Sequence, residues 1–172
     1  MWSPDGMTRR AALLGLLALA GCGLTPVYGP GGAAGRLFGQ VRPRDPDTFE
    51  EFAFNRRLAE RLGPDSDARY DLDYRISIGV VSQAITPEEV TTRYSLNGTA
   101  EFALRDRAGA GTGTGTGAVL AQGRVSGFTS YSTTGTTIAT LSAESDARRR
   151  LAHMLADQVV TRLLAASDGL AP

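Results

Sequence analysis

The chain has 172 residues, 42% of them hydrophobic, and its 18 basic residues balance 18 acidic ones at a sequence pI near 6.6. This balance excludes the strongly basic composition of a nucleic-acid-binding domain, so no nucleic-acid partner is expected. Length and composition predict one globular domain behind an N-terminal processing segment.

Residues 1–21 have the organisation of a signal peptide. Arg9 and Arg10 precede an apolar run over residues 11–20, and small residues follow that run. Ten apolar residues are too few to span a bilayer, which needs about 20. Translation from Met1 or from Met7 gives a complete signal of this kind.

Cys22 is the one cysteine of the sequence, and three roles are open to it: a residue of a discarded leader, a nucleophile or metal ligand, or a lipid attachment point. A lone cysteine forms no internal disulfide, and with His153 as the one histidine the sequence offers no zinc set and predicts no metal site. The stretch Leu19-Ala20-Gly21-Cys22 resembles the bacterial lipobox. It predicts cleavage between Gly21 and Cys22 and acylation of Cys22.

A lipid on Cys22 would tether the domain to a membrane without spanning it, since each buried acyl CH₂ contributes about 0.8 kcal/mol. No cofactor apart from this covalent lipid is expected. Gly23 follows the cysteine where an inner-membrane retention signal would have Asp, which predicts the periplasmic face of the outer membrane. Residues 22–35 are rich in glycine and proline and predict a flexible spacer, followed by a single domain over residues 36–168.

The domain begins with a short apolar stretch at residues 37–41. A helix is predicted over residues 47–62, with Asp47 as N-cap, Glu50 three residues later and an end at Gly63-Pro64. A period of two then predicts strands along residues 70–80 and 94–104, each with its apolar side chains at even positions. A third strand is predicted through residues 119–131, where Gly123 and Gly127 indicate bulges or a close neighbour.

Two segments separate or follow these strands. The low-complexity run at residues 109–117 predicts the tip of a hairpin, since no Lys-Ser/Thr follows its glycines as a phosphate loop requires. A final helix is predicted over residues 143–166, preceded by a polar stretch. The order β-α-β-β-β-α predicts an α+β fold in which two helices cover one face of a four-stranded, largely antiparallel or mixed sheet.

No arrangement of residues in the sequence indicates an enzyme. Asp71 and Asp73 share a strand face, but Arg69 and Arg75 bracket them, which predicts a row of solvated ion pairs. The run of arginines at residues 148–150 predicts a solvated or partner-facing side of the last helix. No base is placed near a nucleophile, so a binding or structural lipoprotein is expected.

The start CGLTPVYG, the small domain after it and the closing helix RRRLAHMLADQVVTRL resemble the LptE family of lipopolysaccharide-assembly lipoproteins. The resemblance implies a plug inside the β-barrel of an LptD partner that assists barrel assembly and insertion of lipopolysaccharide into the outer leaflet. The enteric members use basic loop residues for lipopolysaccharide contact, but SQAITPEEVTT is acidic here and TTGTTIATLS carries no positive charge. Arg93, Arg105 and Arg124 are therefore the candidate lipopolysaccharide contacts.

A second hypothesis is a free-standing envelope lipoprotein without a barrel partner. It would serve as an auxiliary component of a transport system or as a pilotin-like chaperone. Co-purification with a large barrel protein distinguishes the two hypotheses.

Overall fold

The computed structural model describes residues 32–66, 68–85, 91–107, 117–133 and 135–167. Gly21, Cys22, residues 109–116 and residues 86–90 of the acidic segment SQAITPEEVTT lie outside the described residues. In chain order the elements are α1 (Ala33–Leu37), β1 (Val41–Pro43), α2 (Phe49–Leu62), β2 (Tyr70–Ile85), β3 (Thr91–Asp106), β4 (Val119–Ser132) and α3 (Thr137–Ala166).

The four strands form one mixed sheet in the order β1-β2-β3-β4. Strand β1 runs parallel to β2, whereas β3 is antiparallel to both of its neighbours, β2 and β4. The two long helices α2 and α3 pack on one face of the sheet, and the core lies between the two layers. The predicted α+β fold is confirmed.

In β2 and β3 the side chains that the period of two predicts to be buried are buried in the structure. Leu72, Leu96 and Leu104 are fully buried against the helices, and all three are even-numbered. In β4 the register brings odd-numbered residues to this face, with Val125 opposite the buried Ala100. Phe128 has the opposite parity and lies on the other face of the sheet, 71% exposed.

The predicted spacer ends earlier than residue 35, because residues 33–35 belong to α1. Ala34 and Leu37 are buried in the core, and the Arg36 guanidinium donates to the carbonyl oxygen of Ser167 at 3.1 Å. Hydrophobic periodicity does not detect this short helix, because glycines surround it and its five residues give little more than one turn.

Helix α2 begins at Phe49 with Thr48 as N-cap, so the prediction of Asp47 as the cap is wrong. The Thr48 hydroxyl oxygen accepts from the amide of Glu51 at 3.2 Å. The Asp47 carboxylate instead pairs with Arg44 at 2.9 Å, and this ion pair draws it away from the helix terminus.

Helix α3 begins at Thr137, six residues before the predicted start, and its N-cap is Thr136, whose hydroxyl oxygen accepts from the amide of Ala139 at 3.3 Å. The added turns carry Ile138 and Leu141, which are 78% and 61% exposed. Because these turns bury no apolar stripe, hydrophobic periodicity does not detect them.

Gly98 and Gly127 lie opposite each other in β3 and β4, directly beneath α3. A Cβ on Gly98 would lie 2.9 Å from Leu151 Cδ2, and a Cβ on Gly127 would lie 2.8 Å from Met154 Sδ. The predicted close neighbour of Gly127 is confirmed. The bulge expected at Gly123 or Gly127 is not there, since the irregularity in this pairing falls between Leu104 and Arg105.

Candidate functional site

The face of the sheet turned away from the helices is termed the open face, and it holds all three arginines predicted as lipid contacts. Odd-numbered residues of β2 and β3 and even-numbered residues of β4 form it. Its side chains divide into a charged half, near the start of β2, and a half near the end of β2 that is uncharged except for Arg93 at its far end.

The charged half contains the predicted row of ion pairs, but the pairs run across strands. The Arg105 Nε lies 3.1 Å from the Asp73 carboxylate, and the Arg107 Nε lies 3.5 Å from that of Asp71. Arg69, expected beside Asp71, instead lies with its guanidinium 5.6 Å from the Tyr70 ring centroid. Both pairs are diagonal, since the register places Arg105 opposite Asp71, and diagonal neighbours lie within reach of long side chains.

Glu101 lies at the centre of the charged half. Arg124 donates to its carboxylate through Nε at 2.9 Å, and Arg75 is its cross-strand neighbour on the other side. The hydrogen bond from Arg124 lowers the pKa of Glu101, helped by the positive charges of Arg124 and Arg75. Arg105, Arg107 and Arg124 are therefore each paired with a carboxylate of a neighbouring strand.

The uncharged half is covered by hydroxyl, amide and apolar side chains. Ser77, Thr99 and Ser126 form one cross-strand row. The next row places Asn97 beside the exposed Phe128. These two rows offer hydrogen-bonding groups without charged side chains.

The structure does not bring the three predicted lipid contacts together. Arg105 and Arg124 lie in the charged half, each held by a carboxylate. Arg93 is exposed opposite Ser132, and within the described part of the chain no carboxylate pairs with it. Arg93 lies eight residues along β3 from Glu101, or about 26 Å in an extended strand.

A polar cluster around Arg44 was not singled out in the sequence. The Arg44 Nε donates to the carbonyl oxygen of Tyr74 at 2.9 Å, and its guanidinium lies 4.7 Å from the Tyr74 ring centroid. The same guanidinium pairs with Asp47 and with the buried carboxylate of Glu51. Burial raises the pKa of Tyr74 to about 12. The cluster holds the β1–α2 connection against β2. No motif or residue spacing in the sequence indicates it.

The arginines at residues 148–150 of α3 form ion pairs and hydrogen bonds within the domain. Arg148 pairs with Glu144 at 2.7 Å and with Glu50 of α2 at 3.0 Å, and these hydrogen bonds raise its pKa. Arg149 pairs with Asp146, and Arg150 donates to the carbonyl oxygen of Ser130 at 3.4 Å. The run therefore joins α3 to its neighbours.

The described residues contain no helix with the length and apolar character needed to cross a membrane. The fold is that of two lipoproteins of known structure. A protein of Caulobacter crescentus described as a lipoprotein superimposes with a TM-score of 0.64 at 18% identity, covering 80% of this chain and 99% of its own. Rare lipoprotein B from Shewanella oneidensis gives 0.56 at 15% identity, covering 76% and 96%.

Residues 40–163 match the family model described as LptE, lipopolysaccharide-assembly. This match covers more than half of the chain and runs from β1 into the last turns of α3. The chain belongs to the LptE family, which is a lipopolysaccharide-assembly family and not an enzyme family. No curated protein matches the sequence.

Proposed function

We propose that this chain is an outer-membrane lipoprotein that plugs an LptD-type β-barrel, assists its assembly and supports insertion of lipopolysaccharide into the outer leaflet. The family match over residues 40–163 carries the proposal. The lipid on Cys22 would hold the domain at the periplasmic face of the membrane.

The open face is compatible with a barrel interior. The lumen of an outer-membrane barrel is polar, and the open face presents paired ions and hydroxyl groups. Strand β2 has 16 residues and spans about 50 Å, whereas the apolar band of a barrel is about 25 Å tall. A plug of this length would extend past the apolar band on at least one side.

The proposed lipopolysaccharide contacts are Arg93, Arg105 and Arg124. Guanidinium groups bind phosphate through paired, charge-assisted hydrogen bonds. Arg105 and Arg124 would exchange a carboxylate partner for a lipid phosphate, whereas Arg93 has no such partner to exchange among the residues that the structure describes. Arg93→Ala is therefore expected to weaken lipid binding most.

The proposal is tested by purifying the tagged full-length lipoprotein from outer membranes in a mild detergent. A large barrel protein in near-equal amount is the expected companion, and depletion of the lipoprotein should leave that barrel immature. Recovery of the lipoprotein without a barrel would favour the free-standing envelope lipoprotein instead.

A further inference from the structure

An apolar groove lies between β1 and α2. Its volume is about 350 Å³, within the range of about 300 to 1,000 Å³ that is usual for ligand pockets. The buried side chains of Val41, Leu58 and Leu62 line it, together with Phe52, which is 60% exposed. The described residues therefore leave a large aromatic side chain uncovered beside a concave apolar surface.

The backbone of β1 also faces this groove. Gln40 and Arg44 form backbone hydrogen bonds with β2. Successive residues of a strand alternate in direction, so Val41 and Pro43 direct their backbone groups away from β2. Both residues line the groove, and no strand among the described residues pairs with this edge of the sheet. An extended segment in the groove would find the amide and carbonyl groups of Val41 as hydrogen-bonding partners.

The chain enters the domain beside one end of the groove. Leu62 and Gly63 line that end. Phe38, the residue after α1, lies against Gly63, where a Cβ would be 2.7 Å from its Cζ, and the amide of Gly39 donates to the carbonyl oxygen of Leu62 at 2.6 Å. Helix α1 has five residues and is about 8 Å long, and Gly32 before it is buried. Residues that precede Gly32 therefore start close to the groove.

The sequence just before Gly32 supplies a segment of matching character. Residues 24–28 read LTPVY, and Leu24, Pro26 and Tyr28 share one face when the chain is extended. The proline favours that conformation, because it fixes its own φ and restricts the preceding residue to extended values. A segment that serves only as a flexible link needs no such apolar face.

The length of this segment also matches the groove. Phe52 and Leu62 are the first and last residues of α2 that line it, and they are about 15 Å apart along the helix axis. Five extended residues span about 16 Å, and residues 29–31 can bridge about 13 Å from Tyr28 to Gly32. This bridge is longer than α1.

Other segments outside the described residues fit the groove less well. Residues 86–90 include two glutamates and follow Ile85, at the end of β2 opposite to its pairing with β1. Residues 109–116 consist of glycine, threonine and one alanine, and residues 168–172 contain one large apolar side chain. A segment of another chain would bind from solution, whereas residues 24–28 are held nearby at a high effective concentration.

We infer that residues 24–28 bind in this groove as an extended segment of the same chain. Because the segment ends and β1 begins at the Leu62 end of the groove, the two would run antiparallel. Leu24, Pro26 and Tyr28 would face α2 and cover Phe52. The predicted flexible spacer would be reduced to Gly23 and residues 29–31, so the groove would lie close to the membrane. The inference holds whether or not a barrel is the partner.

The test is amide hydrogen exchange of the purified full-length lipoprotein in detergent. A free peptide of residues 23–31 gives the exchange rates of the unbound segment. In the protein, the amides of Thr25, Val27 and Tyr28 should exchange about tenfold more slowly than in the peptide. Rates equal to those of the peptide would overturn the inference.

A groove variant separates binding in the groove from protection by the detergent. Ala59 is exposed and lines the groove, so Ala59→Glu keeps a good helix former and places a carboxylate against the bound segment. Exchange at residues 24–28 should return to the rates of the peptide. Ala139→Glu makes the same change at an exposed position of α3 and should leave the protection intact.

Two results of this comparison would contradict the inference. Protection of residues 24–28 that survives Ala59→Glu would place the segment against the detergent or another surface. Protection that rises with protein concentration would assign the groove to the segment of a second copy.

Photo-crosslinking identifies the surface that residues 24–28 touch. A photoreactive phenylalanine analogue replaces Tyr28, which would face the groove, or Val27, which would face away from it. Crosslinks from position 28 should fall on residues 41–62 of the same chain, with a yield several-fold higher than from position 27. Equal yields from the two positions, or crosslinks from position 28 to other proteins instead, would contradict the inference.

Discussion

Arg44 joins the β1–α2 connection to α2 and to β2. It bonds the backbone of β2, pairs with the buried Glu51 of α2 and lies over the Tyr74 ring. A buried carboxylate without a positively charged partner lowers the free energy of unfolding. Removing one member of the cluster therefore destabilises the fold more than the intact cluster stabilises it. None of these contacts was predictable from the sequence, because the composition of the polar segment RPRDPDTFEE does not indicate which of its side chains turn inward.

Arg44→Met is expected to destabilise the domain by about 3 kcal/mol, because it leaves the carboxylate of Glu51 buried and unpaired. Urea denaturation of the purified domain measures the change. Arg56→Met is the matched control. Its side chain is 71% exposed in its pair with Glu60, so a loss below about 0.5 kcal/mol is expected. Equal effects of the two variants would show that burial of Glu51 is unimportant.

Tyr74 makes stability depend on pH above 10. Its pKa is about 12 in the folded domain and near 10 when unfolded, so the folded state keeps the proton longer. The unfolded state therefore gains from deprotonation as pH rises from 10 to 12, and the free energy of unfolding should fall by on the order of 2 kcal/mol. Tyr74→Phe should remove this part of the fall. Parallel curves of stability against pH for wild type and Tyr74→Phe would contradict the assignment.

The strands were predictable because their period of two survives in the sequence, whereas the helix starts were not. Even-numbered apolar residues identified the buried face of β2 and β3 correctly. The start of α3 was missed because Thr136 caps turns whose Ile138 and Leu141 are exposed, so no amphipathic pattern marks them. The ion pairs of the open face were predicted as a group, but their partners depend on a strand register that one sequence does not reveal.

The contact between α3 and the sheet depends on Gly98. Gly98→Ala would place a methyl group 2.9 Å from Leu151 Cδ2, within a packed core, and should cost about 2 kcal/mol. Thermal and urea unfolding measure the loss. Gly79→Ala is the control, because its nearest neighbour would be the Asn97 carbonyl oxygen at 3.9 Å, and it should be neutral or slightly stabilising. A neutral Gly98→Ala would mean that α3 does not press on this strand.

In the molecule as a whole, α1 and the end of α3 lie together at one end of the domain, and the sheet extends away from that end. Arg36 of α1 bonds Ser167 after α3, so the chain enters the domain beside the place where α3 ends. A tether on Cys22 would thus hold this end of the domain near the membrane. The family was recognisable from the two ends of the sequence, but the layout of the open face required the fold.

Cys22→Ser should abolish metabolic labelling with a palmitate analogue and leave the signal peptide uncleaved by the lipoprotein peptidase. In the proposed anchor the thiol would be the acylation site, and serine would not replace it. Labelling is read by gel fluorescence after immunoprecipitation, with wild type as the positive control. Labelling of Cys22→Ser at the wild-type level would remove the basis for the tether.

Photo-crosslinking tests the proposed plug most directly. A photoreactive residue is placed at Ser77 on the open face or at Arg56 on the exposed side of α2, and cells are irradiated before lysis. Because a plug is surrounded by its barrel, both positions should crosslink to the same large outer-membrane barrel protein. Crosslinking of one face alone, or of neither, would contradict a domain enclosed by a barrel.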